Sequence, residues 1–142
     1  MSIKKCKLIY LPKIEDERGN LTFIEGNKDI PFPIKRIYYL YGVPNGSERG
    51  GHAHKNLEQL IIPISGSFDL LIDDGFAKQT IHMKGSNMAL YVCPMIWREL
   101  SNFSPDAVCV VLASEHYDEA DYHRNYPQYL KQAREKNEYT IS

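Results

Sequence analysis

The sequence predicts an all-β, antiparallel domain, either a sandwich or a barrel, that ends in one short helix. Three observations predict it. Short apolar or alternating runs recur along the chain, explicit turn signals separate them, and no segment of helical period interrupts them before the tail.

The runs follow in order. Lys7–Leu11 and Leu21–Glu25 are the first two, with the turn Glu17-Arg18-Gly19-Asn20 between them. Ile34–Tyr41 comes after the breaker Pro31-Phe32-Pro33. Then come Leu60–Ile64, Ser67–Ile72, Ala77–Met83, Ala89–Val92 and Val108–Ser114. The breaks are Pro44-Asn45-Gly46, Ser65-Gly66, Asp73-Asp74-Gly75, Lys84-Gly85-Ser86 and Ser104-Pro105-Asp106. Asp-Gly between alternating runs is a strong hairpin signal. From Asp118 to about Lys136 the chain turns polar and charged, with Tyr122, Tyr126 and Tyr129 at helical spacing. That predicts a C-terminal helix or hook, broken near Pro127.

The chain has 142 residues, which fits one domain over 1–142. A domain of this size buries roughly 68–70% of its unfolded surface, enough for a core without staples. The net charge of -1 argues against a nucleic-acid binder, which would show a basic face. It leaves room for a local cationic pocket. No apolar stretch reaches the roughly 20 residues of a membrane helix, and the N-terminus has no signal-peptide pattern. A cytoplasmic location is the expectation. Cys6, Cys93 and Cys109 are widely spaced, with no zinc pattern, and read as reduced thiols.

The segment Arg49-Gly50-Gly51-His52-Ala53-His54 is the expected working centre. Residues two apart on a strand point to one side, so His52 and His54 project together. If that side is the interior, two imidazoles share one cavity. Histidine is the side chain best suited to proton transfer near neutral pH. The order of glycine, the two histidines, Glu58 and Gly66 is similar to the first motif of the cupin superfamily. In metal-binding cupins a second motif, Pro-x-Gly-x-x-His, supplies another ligand. Here Pro94-Met95-Ile96-Trp97-Arg98-Glu99 stands in that place. The histidine is missing, and Arg98 adds like charge beside a divalent ion. No metal is expected.

Arginine and aromatic side chains surround these motifs. Arg18, Arg36, Arg49 and Arg98 each adjoin a strand or turn, and the guanidinium fork suits phosphate. Arg36 and Tyr38 alternate onto one side. Gln59 follows Glu58. Tyr91 and Trp97 flank Pro94 and could form an aromatic wall, with core packing the favoured role for Trp97. His82, His116 and His123 read as structural or surface residues.

Four stretches together carry a resemblance: DERGNLTFIEGNKDIPFPIKRIYYLY, RGGHAHKNLEQLIIPISGS, LYVCPMIWREL and VVLASEHYDEADYHRNYPQYL. They cover the chain from about Lys13 to Tyr129, and they resemble the dTDP-4-keto-6-deoxyglucose 3,4-ketoisomerases, a sugar-nucleotide-modifying branch of the cupins. The resemblance implies a jelly-roll barrel without metal or redox cofactor, and a homodimer that exchanges its N-terminal strand. It implies a dTDP-linked 4-keto-6-deoxy sugar as substrate and its 3-keto isomer as product. A PLP-dependent aminotransferase would then convert that product to a 3-amino-3,6-dideoxy sugar, of the kind found in surface polysaccharides.

The implied chemistry agrees with the residues. The C3 proton is acidic beside the C4 carbonyl, its removal gives an enediol, and a proton returns at C4. His54 is the favoured base with His52 assisting, and Arg49 or Tyr38 would stabilise the oxyanion. Arg18, Arg36, Gln59, Tyr91, Trp97 and Arg98 are the expected substrate-binding residues. Positions 18 and 98 are also implied in the choice between galacto and gluco products; with arginine at both, that configuration stays open. Two other readings use the same features. A 3,5-epimerase would also exchange the C5 proton, and a non-catalytic sugar-nucleotide-binding cupin would leave the sugar unchanged.

Overall fold

The alternating runs close into two packed sheets. The computed structural model describes residues 2–141, with side chains from Ser2 to Glu135. The strands in chain order are β1 (Lys7–Tyr10), β2 (Lys13–Asp16), β3 (Gly19–Thr22), β4 (Arg36–Tyr41), β5 (Arg49–His54), β6 (Gln59–Ser65), β7 (Ser67–Asp73), β8 (Lys78–Lys84), β9 (Met88–Val92), β10 (Trp97–Ser101), β11 (Val108–Ala113) and β12 (Tyr122–His123). The helix α1 spans Tyr126–Ile141, and short 3₁₀ turns lie at Ile3–Lys5 and Glu119–Asp121.

One five-stranded sheet runs β1-β9-β6-β11-β4 and the other β12-β5-β10-β7-β8; β2 and β3 form a separate hairpin. All of these pairings are antiparallel. The architecture is the cupin-type jelly roll with a C-terminal helix.

Period-two alternation decides what each strand buries. Phe68, Leu70 and Ile72 of β7 meet Ile61, Leu90, Val92 and Val111 between the sheets. Two outer layers complete the core. Ile30 and Phe32 cover the outside of the first sheet at Leu60, Ile62, Ala89 and Leu112. Tyr129 and Ala133 of α1 cover the outside of the second at Ala53 and Trp97.

Several boundaries differ from the sequence expectation. Leu21–Glu25 shrinks to β3, which starts at Gly19, and a new partner, β2, precedes it. β2 is exposed at every residue, so it carries no burial pattern to reveal it. β10 was not expected as a strand, because polar residues interrupt its short run. The helix begins at Tyr126 rather than near Asp118. The Asn125 side chain accepts from Gln128 N–H at 3.0 Å and caps the first turn. Pro127 therefore starts the helix instead of breaking it, because its missing N–H falls where no intrahelical partner exists. Among the described residues, no helix is long and apolar enough to cross a membrane.

Candidate active site

β5 is where the site is built. Its register against β10 pairs Arg98 with His52 but Glu99 with Gly50, so Gly51 is an extra, unpaired residue. This is a β-bulge. Gly50 and Gly51 both have positive φ, +84° and +72°, and a Cβ on Gly50 would come within 3.0 Å of the Arg98 carbonyl oxygen. Only glycine meets both conditions cheaply. The bulge reverses the alternation, so Arg49 and His52, three residues apart, both line the same hollow. Strict alternation would have set them on opposite faces.

The hollow lies inside the barrel mouth. An inner cavity of about 70 Å³ is lined by Tyr38, His52, Gln59, Arg98 and apolar neighbours. A wider cleft of about 540 Å³ shares Tyr38, Arg49, Gly50 and His52 with it and adds Arg36, Glu48, Tyr122 and Arg124. Of the residues expected from sequence, the structure gathers Arg36, Tyr38, Arg49, His52, His54, Gln59 and Arg98. It separates three others.

Arg18 lies at the tip of the β2–β3 hairpin, 86% exposed and paired with Asp16 at 2.7 Å. Tyr91 alternates onto the outer face of the first sheet, 6.3 Å from Phe32, and donates to Glu58 Oε1 at 2.5 Å. Trp97 is one residue from Arg98 and therefore faces the opposite way, against Tyr126 and Tyr129 at 5.1 and 5.5 Å. None of the three lines the cavity of its own chain. Glu58, by bonding Tyr91, is turned away from the histidines.

The histidines sit in a tight aromatic group. Their ring centroids are 4.9 Å apart, edge to face. Tyr122 packs 4.3 Å from His54 and 5.1 Å from His52. His54 is fully buried and lines neither cavity, whereas His52 lines both. His54 Nδ1 faces Asp121 Oδ2 at 3.3 Å. That carboxylate is itself held by Asn56 N–H at 2.8 Å and Leu57 N–H at 3.3 Å. A carboxylate can only accept here, so Nδ1 carries the proton and Nε2 keeps its lone pair.

The pocket is electropositive. Arg98 is fully buried and holds Gln59 Oε1 and the Ile96 carbonyl. Arg36 lies 5.4 Å from the Tyr38 ring and 5.6 Å from the Tyr117 ring. Arg124 stacks on Tyr122 at 4.2 Å and pairs with Glu119 at 2.5 and 2.9 Å. Burial first, and the Arg98 charge second, lower the His52 pKa to about 4. The same two causes, with His52 and Arg36 added, push His54 far below the usual imidazole range. Both rings are neutral at pH 7. Arg36 Nε and Nη2, both His52 nitrogens, His54 Nε2 and Arg98 Nε have no protein partner among the described residues.

Asp121, Tyr122 and Arg124 were not expected from sequence. They arrive through β12, whose Tyr122 pairs with His54 and whose His123 pairs with Ala53. The only local cue was Tyr122 and Arg124 two apart, and a two-residue strand is too short for alternation to register.

Comparison with known proteins fits this geometry. The family described as FdtA, WxcM-like, C-terminal, matches residues 4–134. A curated relative from Aneurinibacillus thermoaerophilus, a TDP-4-oxo-6-deoxy-alpha-D-glucose-3,4-oxoisomerase, is 46% identical over 125 residues, 88% of this chain and 90% of its own. The crystal structure of QdtA, a sugar 3,4-ketoisomerase from Thermoanaerobacterium thermosaccharolyticum in complex with TDP, superposes with a TM-score of 0.92 at 40% identity, covering 95% of this chain and 98% of that one. The WlaRB TDP-quinovose 3,4-ketoisomerase from Campylobacter jejuni gives a TM-score of 0.87 at 46% identity, covering 91% and 99%. With its fold matched, the family model covering residues 4–134 and a curated relative 46% identical over 88% of its length, the chain belongs to the dTDP-4-keto-6-deoxyglucose 3,4-ketoisomerase family of sugar-nucleotide-modifying cupins.

Proposed function

We propose that this chain converts dTDP-4-keto-6-deoxy-D-glucose to a dTDP-3-keto-6-deoxyhexose, with His52 taking the C3 proton and returning it to C4. The observation that carries this is that residues with partnerless buried polar atoms line the cavity and the cleft that opens from it, Arg98 in the first, Arg36 in the second and His52 in both. Buried polar groups are normally paired, and the carbonyl and hydroxyls of a ketosugar would pair them. A neutral His52 with a free nitrogen can accept a proton. Its low pKa makes the resulting imidazolium a strong acid that gives the proton up again.

His54 supports that exchange from behind, oriented by Asp121 and in edge contact with His52. His54 was the favoured base, although the sequence does not order the two; His52 is preferred here because it lines the hollow and His54 does not. Arg36, Arg49 and Arg124 form the cationic rim that suits a diphosphate.

Proton NMR of the purified chain with this substrate in D2O tests the reading. Loss of the C3 signal, deuterium at C4 and appearance of a 3-keto product are expected. Unchanged sugar overturns the reading, and exchange at C5 as well points to the epimerase. The product 3-ketone is the form that a PLP-dependent aminotransferase would convert to a 3-amino sugar. The free thiols of Cys6, Cys93 and Cys109 support a cytoplasmic setting.

The pH dependence follows from the His52 shift. The base must be unprotonated, so activity falls as pH drops through its pKa. With that pKa lowered to about 4, kcat/KM stays flat from pH 7 to 5 and declines only below. A limb near the unperturbed value of about 6.5 would show that His52 is not the group titrating.

The partner proposed for the apolar surface is a second copy of the chain. Ile37, Tyr39 and Tyr41 on the outer face of β4 are exposed, as are Ile14, Leu21 and Phe23 around the β2–β3 hairpin. A groove of about 410 Å³ runs between that hairpin and Ile62 and Ile64. Exposed apolar rows of this kind are rare on a monomer, and exchange of the N-terminal strand would cover them. Light scattering after size exclusion should give twice the 16.4 kDa chain mass. A monomer at micromolar concentration refutes the dimer.

A further inference from the structure

Buried Arg98 sits at the head of a hydrogen-bonded chain that ends at the Tyr38 hydroxyl. Arginine has donors only, so the Gln59 atom that faces it must be the carbonyl oxygen. That choice leaves the Gln59 amide nitrogen facing Tyr38, and it donates to the phenolic oxygen at 3.0 Å. The Tyr38 oxygen is therefore an acceptor on its inner side. Among the described residues it makes no other hydrogen bond, so its own proton is directed away from Gln59, on the side where Tyr38 lines the hollow with His52. We propose that Gln59 is a positioning residue: oriented by Arg98, it fixes the Tyr38 hydroxyl as a donor to the sugar oxygen that gains charge during isomerisation.

The inference rests on the ketoisomerase reading and adds the route of the oxygen-bound proton. His52 removes the C3 proton, and the electron pair of the broken C–H bond forms the C3–C4 double bond and places negative charge on O4. Tyr38 gives its proton to O4, which leaves an enediol and a phenolate. The carbon proton then returns from His52 to C4. As that bond forms, the O3 proton passes to the phenolate and the C3 carbonyl appears. Every group ends as it began. Arg98 stabilises the transient phenolate through the polarised amide of Gln59. Burial holds the resting phenol above its usual pKa, so it begins protonated.

The test separates position from packing. In Gln59→Glu the carboxylate pairs with Arg98 and accepts from Tyr38, which turns the phenol proton inward. In Gln59→Met the pair is lost and the hydroxyl rotates freely. A buried guanidinium without its partner is costly, so Met is expected to melt lower than Glu. Activity should run the other way. Relative to wild type, kcat falls on the order of 10²-fold in Tyr38→Phe and in Gln59→Glu, and about tenfold in Gln59→Met. The double variant Tyr38→Phe/Gln59→Glu is expected to be no slower than Tyr38→Phe.

A Gln59→Glu protein at least as active as Gln59→Met overturns the inference, as does a double variant whose losses multiply. If Gln59→Glu does not fold, Gln59→Met decides: wild-type kcat overturns the role, and a loss that disappears in the Tyr38→Phe background supports it. A wild-type chain that leaves the sugar unchanged overturns the ketoisomerase reading as well. An active wild type with the wrong variant order overturns only the role of Gln59.

Discussion

Replacing His52 by asparagine is expected to lower kcat on the order of 10³-fold while leaving dTDP affinity within about a factor of three. General acid–base transfer by one side chain contributes about 10² to 10⁴, and here one ring would serve both proton transfers at carbon. Asparagine fills similar volume but has no basic nitrogen, so binding on the cationic rim survives. Calorimetry with dTDP and NMR turnover with the ketosugar measure the two effects separately. The matched experiment is His54→Asn. If that variant loses all activity while His52→Asn remains active, the base is His54. Retention of more than about a tenth of wild-type kcat in His52→Asn would sink the assignment.

Tyr129→Ala is expected to cost about 4 kcal/mol, within the range for emptying a large aromatic site. It should lower the melting temperature by about 10 °C in a domain of this size. Tyr129 is fully buried. Its ring packs against Trp97, Tyr126 and His123. Its hydroxyl lies 2.8 Å from the Met95 carbonyl and 2.9 Å from that of Asp73, and it accepts from Trp97 N–H at 3.3 Å. The residue therefore fastens α1 to the second sheet.

That fastening also reaches the site. Trp97 precedes Arg98, and the segment before α1 carries Asp121, Tyr122 and Arg124. Loosening the helix should lower kcat together with stability, even though Tyr129 does not line the hollow. Thermal melting by circular dichroism checks the first effect. A shift under about 3 °C would show that the helix is not held here.

Some of this was legible residue by residue. The runs at Ile34–Tyr41, Leu60–Ile64, Ser67–Ile72 and Val108–Ser114 became β4, β6, β7 and β11 because hydrophobic alternation is a local signal that needs no partner. The Asp73-Asp74-Gly75 turn formed between β7 and β8 for the same reason. Arg36 and Tyr38 shared a face as their spacing required. The expectation failed where burial was absent or the partner decided. β2 is wholly exposed, β12 has two residues, and the helix start at Tyr126 depended on the Asn125 cap.

The sequence by itself determined that two histidines on one strand would share a side, and that the barrel around them would be antiparallel. Tertiary structure decided which side is inside. Trp97 and Arg98 are neighbours in sequence, yet one packs under α1 and the other into the hollow, and only the position of the second sheet between helix and core settles which. Arg49 joins His52 because Gly51 has no partner on β10, a fact of register between two strands rather than of either alone. Asp121 meets His54 only because the segment before α1 returns to the edge of β5. Local chemistry fixes period and propensity, whereas the approach of distant strands fixes which nitrogen sees the substrate.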